Sequence, residues 1–260
     1  MVPPDGDRRF VPALLLSTAL ASGCQPRPAP APAPIQVAAA ADLSVAFTEM
    51  GKLFEARTGQ RVTFSFGASG SLARQLAEGA PFDLFAAANA SFVDSAVNSG
   101  ACDETTRARY ARGHLVAWSR HGSATLRSLQ DLLAPGIVHI AIANPEHAPY
   151  GKAAREALMR AGVWAALEPK IVQAENVRQA LQFAETGNAE VALVARSLLS
   201  EAESRRALPI DAALHAPIEQ TLVVCRRGKN VAGGRAFAKL VESREGQALL
   251  ARYGFGGATE

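Results

Sequence analysis

Residues 35–79 run IQVAAAADLSVAFTEMGKLFEARTGQRVTFSFGASGSLARQLAEG. A short apolar run, Ile35 to Ala40, passes into a stretch, Leu43 to Ala56, whose apolar residues recur at i, i+3 and i+4. A second run, Val62 to Phe66, passes into a second such stretch, Ser71 to Glu78. Short apolar runs predict buried strands, and the 3.6-residue period predicts helices packed on them. Outward from here the alternation continues. Strands are expected at Leu84 to Ala88, His114 to Trp118, Val138 to Ile142, Val191 to Val194 and Thr221 to Cys225. Helices are expected at Ser91 to Ser99, Gly151 to Ala161, Val177 to Glu185 and Gly233 to Val241. Strand and helix in turn predict an α/β protein with largely parallel sheets. No repeat occurs at solenoid periods.

Composition agrees with a folded chain. Of 260 residues, 48% are hydrophobic and 20% charged, which excludes a disordered tail, a collagen-like rod and a charge-rich coiled coil. The length suits one large domain or two of roughly 100 residues each. Lys and Arg number 27 against 24 Asp and Glu, a formal charge of +3. So small an excess, without a basic stripe, leaves no electrostatic footprint for nucleic acid.

The N-terminal region reads as an address. Arg8 and Arg9 precede an apolar run, Phe10 to Leu20, too short to span a bilayer as a mature helix. Residues 1–23 are therefore expected to be a signal peptide. The run closes on Leu20-Ala21-Ser22-Gly23-Cys24, which resembles a bacterial lipobox with Ala21 where Leu is usual. That pattern predicts lipidation of Cys24; ordinary cleavage nearby is the other reading. The Arg8-Arg9 pair also hints at export of a folded chain, but the motif around it is incomplete. Residues 24–34, rich in Pro and Ala, form an extended spacer between anchor and body. The expectation is a periplasmic or otherwise extracytoplasmic protein that meets the membrane only through a lipid. Cys102 and Cys225 match no metal spacing, and free or bridged states both fit.

Chemistry is expected where strands hand over to helices, because unpaired N–H groups and the positive dipole end at a helix start attract anions. Three junctions qualify: Ala38 to Leu43 through Asp42, Phe66 to Ser71, and Asn144 to Gly151. In the second, Gly67 and Gly70 permit a sharp turn, and Ser69 or Ser71 can cap the helix or donate a hydroxyl. No Lys-Ser or Lys-Thr follows Gly70, so a phosphate-binding P-loop fails. In Gly67-Ala68-Ser69-Gly70-Ser71 the second glycine comes one position too early for a hydrolase elbow. His114, His121, His139, His147 and His215 are scattered without metal spacing. No trio of residues forms a catalytic constellation.

The segments IQVAAAADLSVAF, FSFGASGSLARQLAEGAPFDLFAAAN, IANPEHAPYGKAAREAL, AENVRQAL and ARYGF, in this order, resemble the periplasmic molybdate-binding proteins of ABC importers. The resemblance spans about residues 35 to 255 and is carried above all by GAPFDLF after the GASGS turn and by NPEHAPYG. It implies a type II periplasmic-binding-protein fold: two α/β lobes, a ligand cleft between them and two crossing strands. The crossings are expected near Arg112 to Ala117 and Pro217 to Thr221. One lobe is then residues 35–115 plus 218–260, and the other 116–217.

The same resemblance implies a non-enzymatic receptor that binds molybdate or tungstate without a cofactor and passes it to an ABC permease and its ATPase. A monomer is expected. Such proteins hold a tetrahedral oxyanion with neutral hydroxyl and backbone donors. The matching positions are the Ser69 hydroxyl, the Tyr150 and Val177 backbone amides, and Asp42 at the first junction. The metal is touched only through its oxygens. Two positions depart from the pattern. Ala195 stands where some members supply a tyrosine hydroxyl, and Asp42 where a neutral polar residue is frequent. A carboxylate about 4 Å from an anion costs on the order of 4 kcal/mol per unit charge. Asp42 is expected to turn away and cap its own helix; protonation, or a ligand other than a dianion, are the alternatives. Two other functions follow from these residues: the same receptor for a different small ligand, or a lipoprotein hydrolase using Ser69.

Overall fold

The computed structural model describes Met1 and residues 33–120 and 125–258. The expected leader (1–23), Cys24 and the spacer as far as residue 32 lie outside the described residues. Four strands open the fold: β1 (Ile35–Ala40), β2 (Val62–Gly67), β3 (Leu84–Ala87) and β4 (Ala108–Gly113). Between them run α1 (Ser44–Thr58), α2 (Ser69–Ala77) and α3 (Ala90–Asn98). At His114 the chain leaves this sheet for a second one, built from β5 (Leu115–Ser119), β6 (Ile140–Ala143), β7 (Ile171–Ala174), β8 (Val191–Ala195) and β9 (Leu208–Pro209). Helices α4 (Pro149–Arg160), α5 (Trp164–Leu167), α6 (Val177–Glu185) and α7 (Glu201–Ser204) belong to this part. Strand β10 (Ile218–Val224) returns to the first sheet, and α8 (Val231–Glu242) and α9 (Arg244–Arg252) finish the chain. The sheet orders are β2-β1-β3-β10-β4 and β7-β6-β8-β5-β9. The fold is α/β.

The expectation of largely parallel sheets is corrected. Strand β1 is parallel to β2 and β3, but β10 is antiparallel to β3 and β4. In the second sheet β6 is parallel to β7 and β8, whereas β5 is antiparallel to β8 and β9. Parallel pairs come from strand–helix–strand units with right-handed crossovers. The antiparallel members are the strands that carry the chain between the sheets, and these need no helical crossover. Strand β4 escaped the sequence reading because Arg109 and Arg112 interrupt its apolar pattern. On the fold Tyr110 and Ala111 are buried while Arg109 reaches Glu219 of β10 at 2.6 Å. Strand β7 is too short to stand out, and α9 was not anticipated.

The first sheet is covered on one face by an aromatic cluster. Phe47 of α1 meets Phe237 of α8 edge-on at 5.7 Å, and Phe237 meets Phe64 of β2 at 5.8 Å. Gly51 lets α1 settle on β2, since a Cβ there would come within 2.8 Å of Phe64. The buried Asp83, from the GAPFDLF segment, accepts the N–H of Gln36 at 2.7 Å and of Asn230 at 2.6 Å. It thereby ties β1 to the start of α8. Among the described residues no helix is long and apolar enough to cross a membrane.

Cys102 and Cys225 are joined by a disulfide that closes 123 residues of sequence separation. It ties the segment after α3 to the end of β10. Removing a native cross-link costs about 2–5 kcal/mol, so reduction, or Cys225→Ala, is expected to lower the melting midpoint by roughly 10 °C. Thermal unfolding with and without reductant measures this, and equal midpoints would exclude a stabilising bridge.

Candidate functional site

Because β1, β2 and β3 are parallel, their carboxyl ends lie on one side of the first sheet; those of β6 and β7 do the same in the second. The residues that follow these five strands surround one small cavity. Asp42, Ser69, Tyr150 and Val177, named from the sequence, all line it. Ala195 does not. It ends β8, is fully buried and pairs with Leu115.

Three helices start at the cavity, and each leaves backbone donors there. An α-helix cannot satisfy its first N–H groups internally. At α2 the N-cap Ala68 has no side-chain bond to offer. The Gly70 N–H donates to the His147 carbonyl at 2.9 Å, which leaves the Ser69 N–H. Gly70 is required for this approach, because a Cβ would lie 2.8 Å from Phe92 and 3.0 Å from the His147 oxygen. At α4, Pro149 occupies the first helical position and has no N–H, so Tyr150 supplies the first donor. Gly151 brings this helix start directly over the end of β6: a Cβ there would fall 2.0 Å from the Ala143 oxygen. At α6 the Asn176 side chain accepts from Arg178 at 3.0 Å and from Gln179 at 3.1 Å. The Val177 N–H, ahead of both, is left uncapped.

Ser69 adds a hydroxyl. It is fully buried, and its Oγ accepts the Ala88 N–H at 3.1 Å. With that lone pair occupied and the oxygen fixed, the hydroxyl hydrogen remains to be donated. No Lys, Arg, His or Cys lines the cavity. The donors offered to the cavity, three helix starts and the Ser69 hydroxyl, are all neutral. Among the described residues no three His, Cys, Asp or Glu side chains gather as a metal site.

The expected capping role of Asp42 is corrected. The 3-10 turn Ala41–Leu43 has Ala40 as its N-cap, α1 has Leu43, and neither carries a side-chain cap. Capping lost because the carboxyl turns the other way, to where Gln220 of β10 donates its Nε2 to Oδ2 at 2.6 Å. The backbone oxygen of Asp42 accepts the Ser197 hydroxyl at 2.8 Å. Asp42 is 1% exposed, and burial pushes its pKa up to about 7, against weaker opposing effects of the nearby Tyr150 hydroxyl and Gln220. The Tyr150 side chain crosses from the second sheet's α4 to the first sheet's β4. Its hydroxyl sits where a Cβ on Gly113 would be 2.1 Å away. Burial, then the Asp42 charge, pushes the Tyr150 and Tyr110 hydroxyls well above their ordinary range.

Gln220, Tyr110 and the side chain of Tyr150 were not legible as site residues. Gln220 was the most accessible of them, a neutral polar residue followed directly by an apolar run. Tyr110 sits in a strand that charge disguised.

Comparison with known proteins follows the same lines. The family described as bacterial extracellular solute-binding protein matches residues 35–256. The molybdate-binding protein ModA of Rhodobacter capsulatus is 36% identical over 216 residues, covering 83% of this chain and 85% of that protein. ModA of Escherichia coli K12 is 34% identical, covering 83% and 86%. Among solved structures, the Azotobacter vinelandii periplasmic molybdate-binding protein superposes with a TM-score of 0.80 at 28% identity, covering 85% of this chain and 98% of that one.

The buried carboxyl makes stability fall with pH. In the unfolded chain Asp42 ionises near 3.8, whereas in the fold it does so at about 7. The folded state therefore binds the extra proton between those values, and stability is lost as pH rises through them. The loss amounts to about 4 kcal/mol at the top of the window. Asp42→Asn is expected to melt higher than the native protein at pH 8 and to show a flatter pH dependence; equal pH profiles would contradict this. Gly113→Ala is expected to be destabilised and to displace the Tyr150 ring, readable by near-ultraviolet circular dichroism.

Proposed function

Since this chain belongs to the family of bacterial extracellular solute-binding proteins, we propose that its cavity binds molybdate or tungstate and that the protein presents the ion to an ABC permease with its ATPase. The observation that carries this reading is the cage itself: three helix starts and the Ser69 hydroxyl, all neutral donors, around a buried space without a cation. A dianion gives up its water readily only to preorganised donors, and helix starts offer these together with a favourable dipole. Their spacing around a fixed space discriminates by size, so sulfate, which is smaller, leaves some donors out of reach. The ligand leaves unchanged, without catalysis or a cofactor.

In this reading the protein is a monomer tethered to a membrane by a lipid on Cys24, with the Pro/Ala spacer giving the body reach. Both sheets contribute donors to one ion, so ligand and closure stabilise each other.

Thermal unfolding with added oxyanion tests the assignment. A ligand at about a thousand times its dissociation constant adds roughly 4 kcal/mol, or about 10 °C for a chain of this size. Molybdate and tungstate are expected to give that shift, with sulfate and phosphate giving little. Ser69→Ala removes a donor to a charged group and strands the Ala88 N–H; it is expected to weaken molybdate binding by about 10- to 100-fold. If no oxyanion moves the midpoint but another solute does, the receptor serves a different ligand. Turnover of an ester abolished by Ser69→Ala would instead identify a hydrolase.

A further inference from the structure

Four buried side-chain oxygens make no hydrogen bond among the described residues: Asp42 Oδ1, Gln220 Oε1 and the hydroxyls of Tyr110 and Tyr150. They all belong to one cluster beside the cavity. An ionised Asp42 gives Gln220 nothing but acceptors. Oδ2 takes the Gln220 amide at 2.6 Å, and Oδ1 and Oε1 are then two acceptor oxygens that both have to share the one nearby Tyr150 hydroxyl hydrogen. Burying unpaired acceptors is costly. A proton on Oδ1 changes the count, since a carboxylic acid can accept from a carboxamide with one oxygen and donate to it with the other.

The cluster draws on both sheets. Asp42, Tyr110 and Gln220 come from elements of the first sheet, and Tyr150 comes from α4 beside the second. We propose that Gln220 and Tyr150 are positioning residues that turn the Asp42 carboxyl away from the cavity into this buried cluster, where it is carried as the neutral acid, so that binding an oxyanion takes up one proton from solvent. This rests on the oxyanion reading above. The repulsion that an aspartate brings to an anion site is thereby removed, and only the backbone of Asp42 faces the ligand.

Among the described residues no cation acts on the carboxyl. Strand β4 presents Tyr110, α4 presents Tyr150 and β10 presents Gln220. The turn after β8 presents Ser197, bonded to the Asp42 carbonyl. Helices α1 and α6, which pack on the turn, bury the apolar Phe47 and Val177, and the charged Arg178 and Arg196 are exposed. Burial and an arriving anion thus push in the same direction, toward the acid. The sign follows. Below the raised value of about 7 the buried Asp42 holds its proton with or without ligand. Above the raised value of about 7 the ligand-free protein has lost that proton, and an arriving anion restores it. Affinity there falls about tenfold for each unit of pH.

The test is calorimetric titration of the purified protein with sodium molybdate from pH 5.5 to 8.5, in buffers of different ionisation heat. Native protein is expected to take up close to one proton per molybdate near pH 8 and little near pH 6, and to bind more weakly as pH rises above 7. Asp42→Asn is expected to bind with no uptake and a flat profile. Gln220→Leu is expected to weaken binding tenfold or more at pH 8 in the native background and less than twofold on top of Asp42→Asn. Equal losses in both backgrounds would mean that Gln220 only supports the fold. If Gln220→Leu does not fold, Tyr150→Phe removes a single hydroxyl and is expected to move the midpoint of the pH profile upward. Molybdate binding without proton uptake overturns this proposal and leaves the receptor reading standing. No binding at any pH overturns both.

Discussion

Backbone N–H groups at the first turn of a helix cannot be buried without an acceptor, and this molecule buries several of them together. Helices α2, α4 and α6 all begin beside one enclosed space. The local sequence keeps those donors open: Ala68 and Ala148 are N-caps without a capping side chain, and Asn176 spends its oxygen on the second and third N–H groups of its helix. In the proposed reading an anion supplies the acceptor that these donors require. The mixed sheets follow from the same requirement, since parallel strands deliver several helix starts to one edge while antiparallel strands carry the chain between sheets.

Close approach of backbone to backbone is the second condition. Gly70 admits the His147 carbonyl, Gly151 sits against the Ala143 carbonyl, and Gly113 makes room for the Tyr150 hydroxyl. The first and third of these contacts join parts of the chain that are far apart in sequence, and the second folds α4 back over the strand that precedes it. A methyl group at any of the three would hold donors or hinge residues away from their partners.

Asp42 shows how an unfavourable residue is accommodated. A charged carboxylate lining an oxyanion site opposes binding. Here the carboxyl is bonded to Gln220 and buried among tyrosines, where the neutral acid is favoured. The cost of burying an acid is borne by stability at neutral pH, and the gain is a cavity lined by neutral donors.

Much of this was legible in the chain itself. The two periods of hydrophobicity placed β1, α1, β2 and α2 within a few residues, because those patterns reflect local geometry. The βα junctions pointed to Asp42, Ser69 and the segment that holds Tyr150, since helix starts after parallel strands follow from sequence order, and the family resemblance added Val177 and the donor roles. The arginines of β4 hid a strand whose burial depends on its neighbours. Other features are fixed only by contacts between distant segments: the antiparallel return of β10, the pairing of Cys102 with Cys225, the Tyr150 hydroxyl against Gly113, and Gln220 on Asp42. Local patterning determines what each segment becomes. Which way the Asp42 carboxyl points depended on a partner 178 residues away, and only the tertiary structure could decide it.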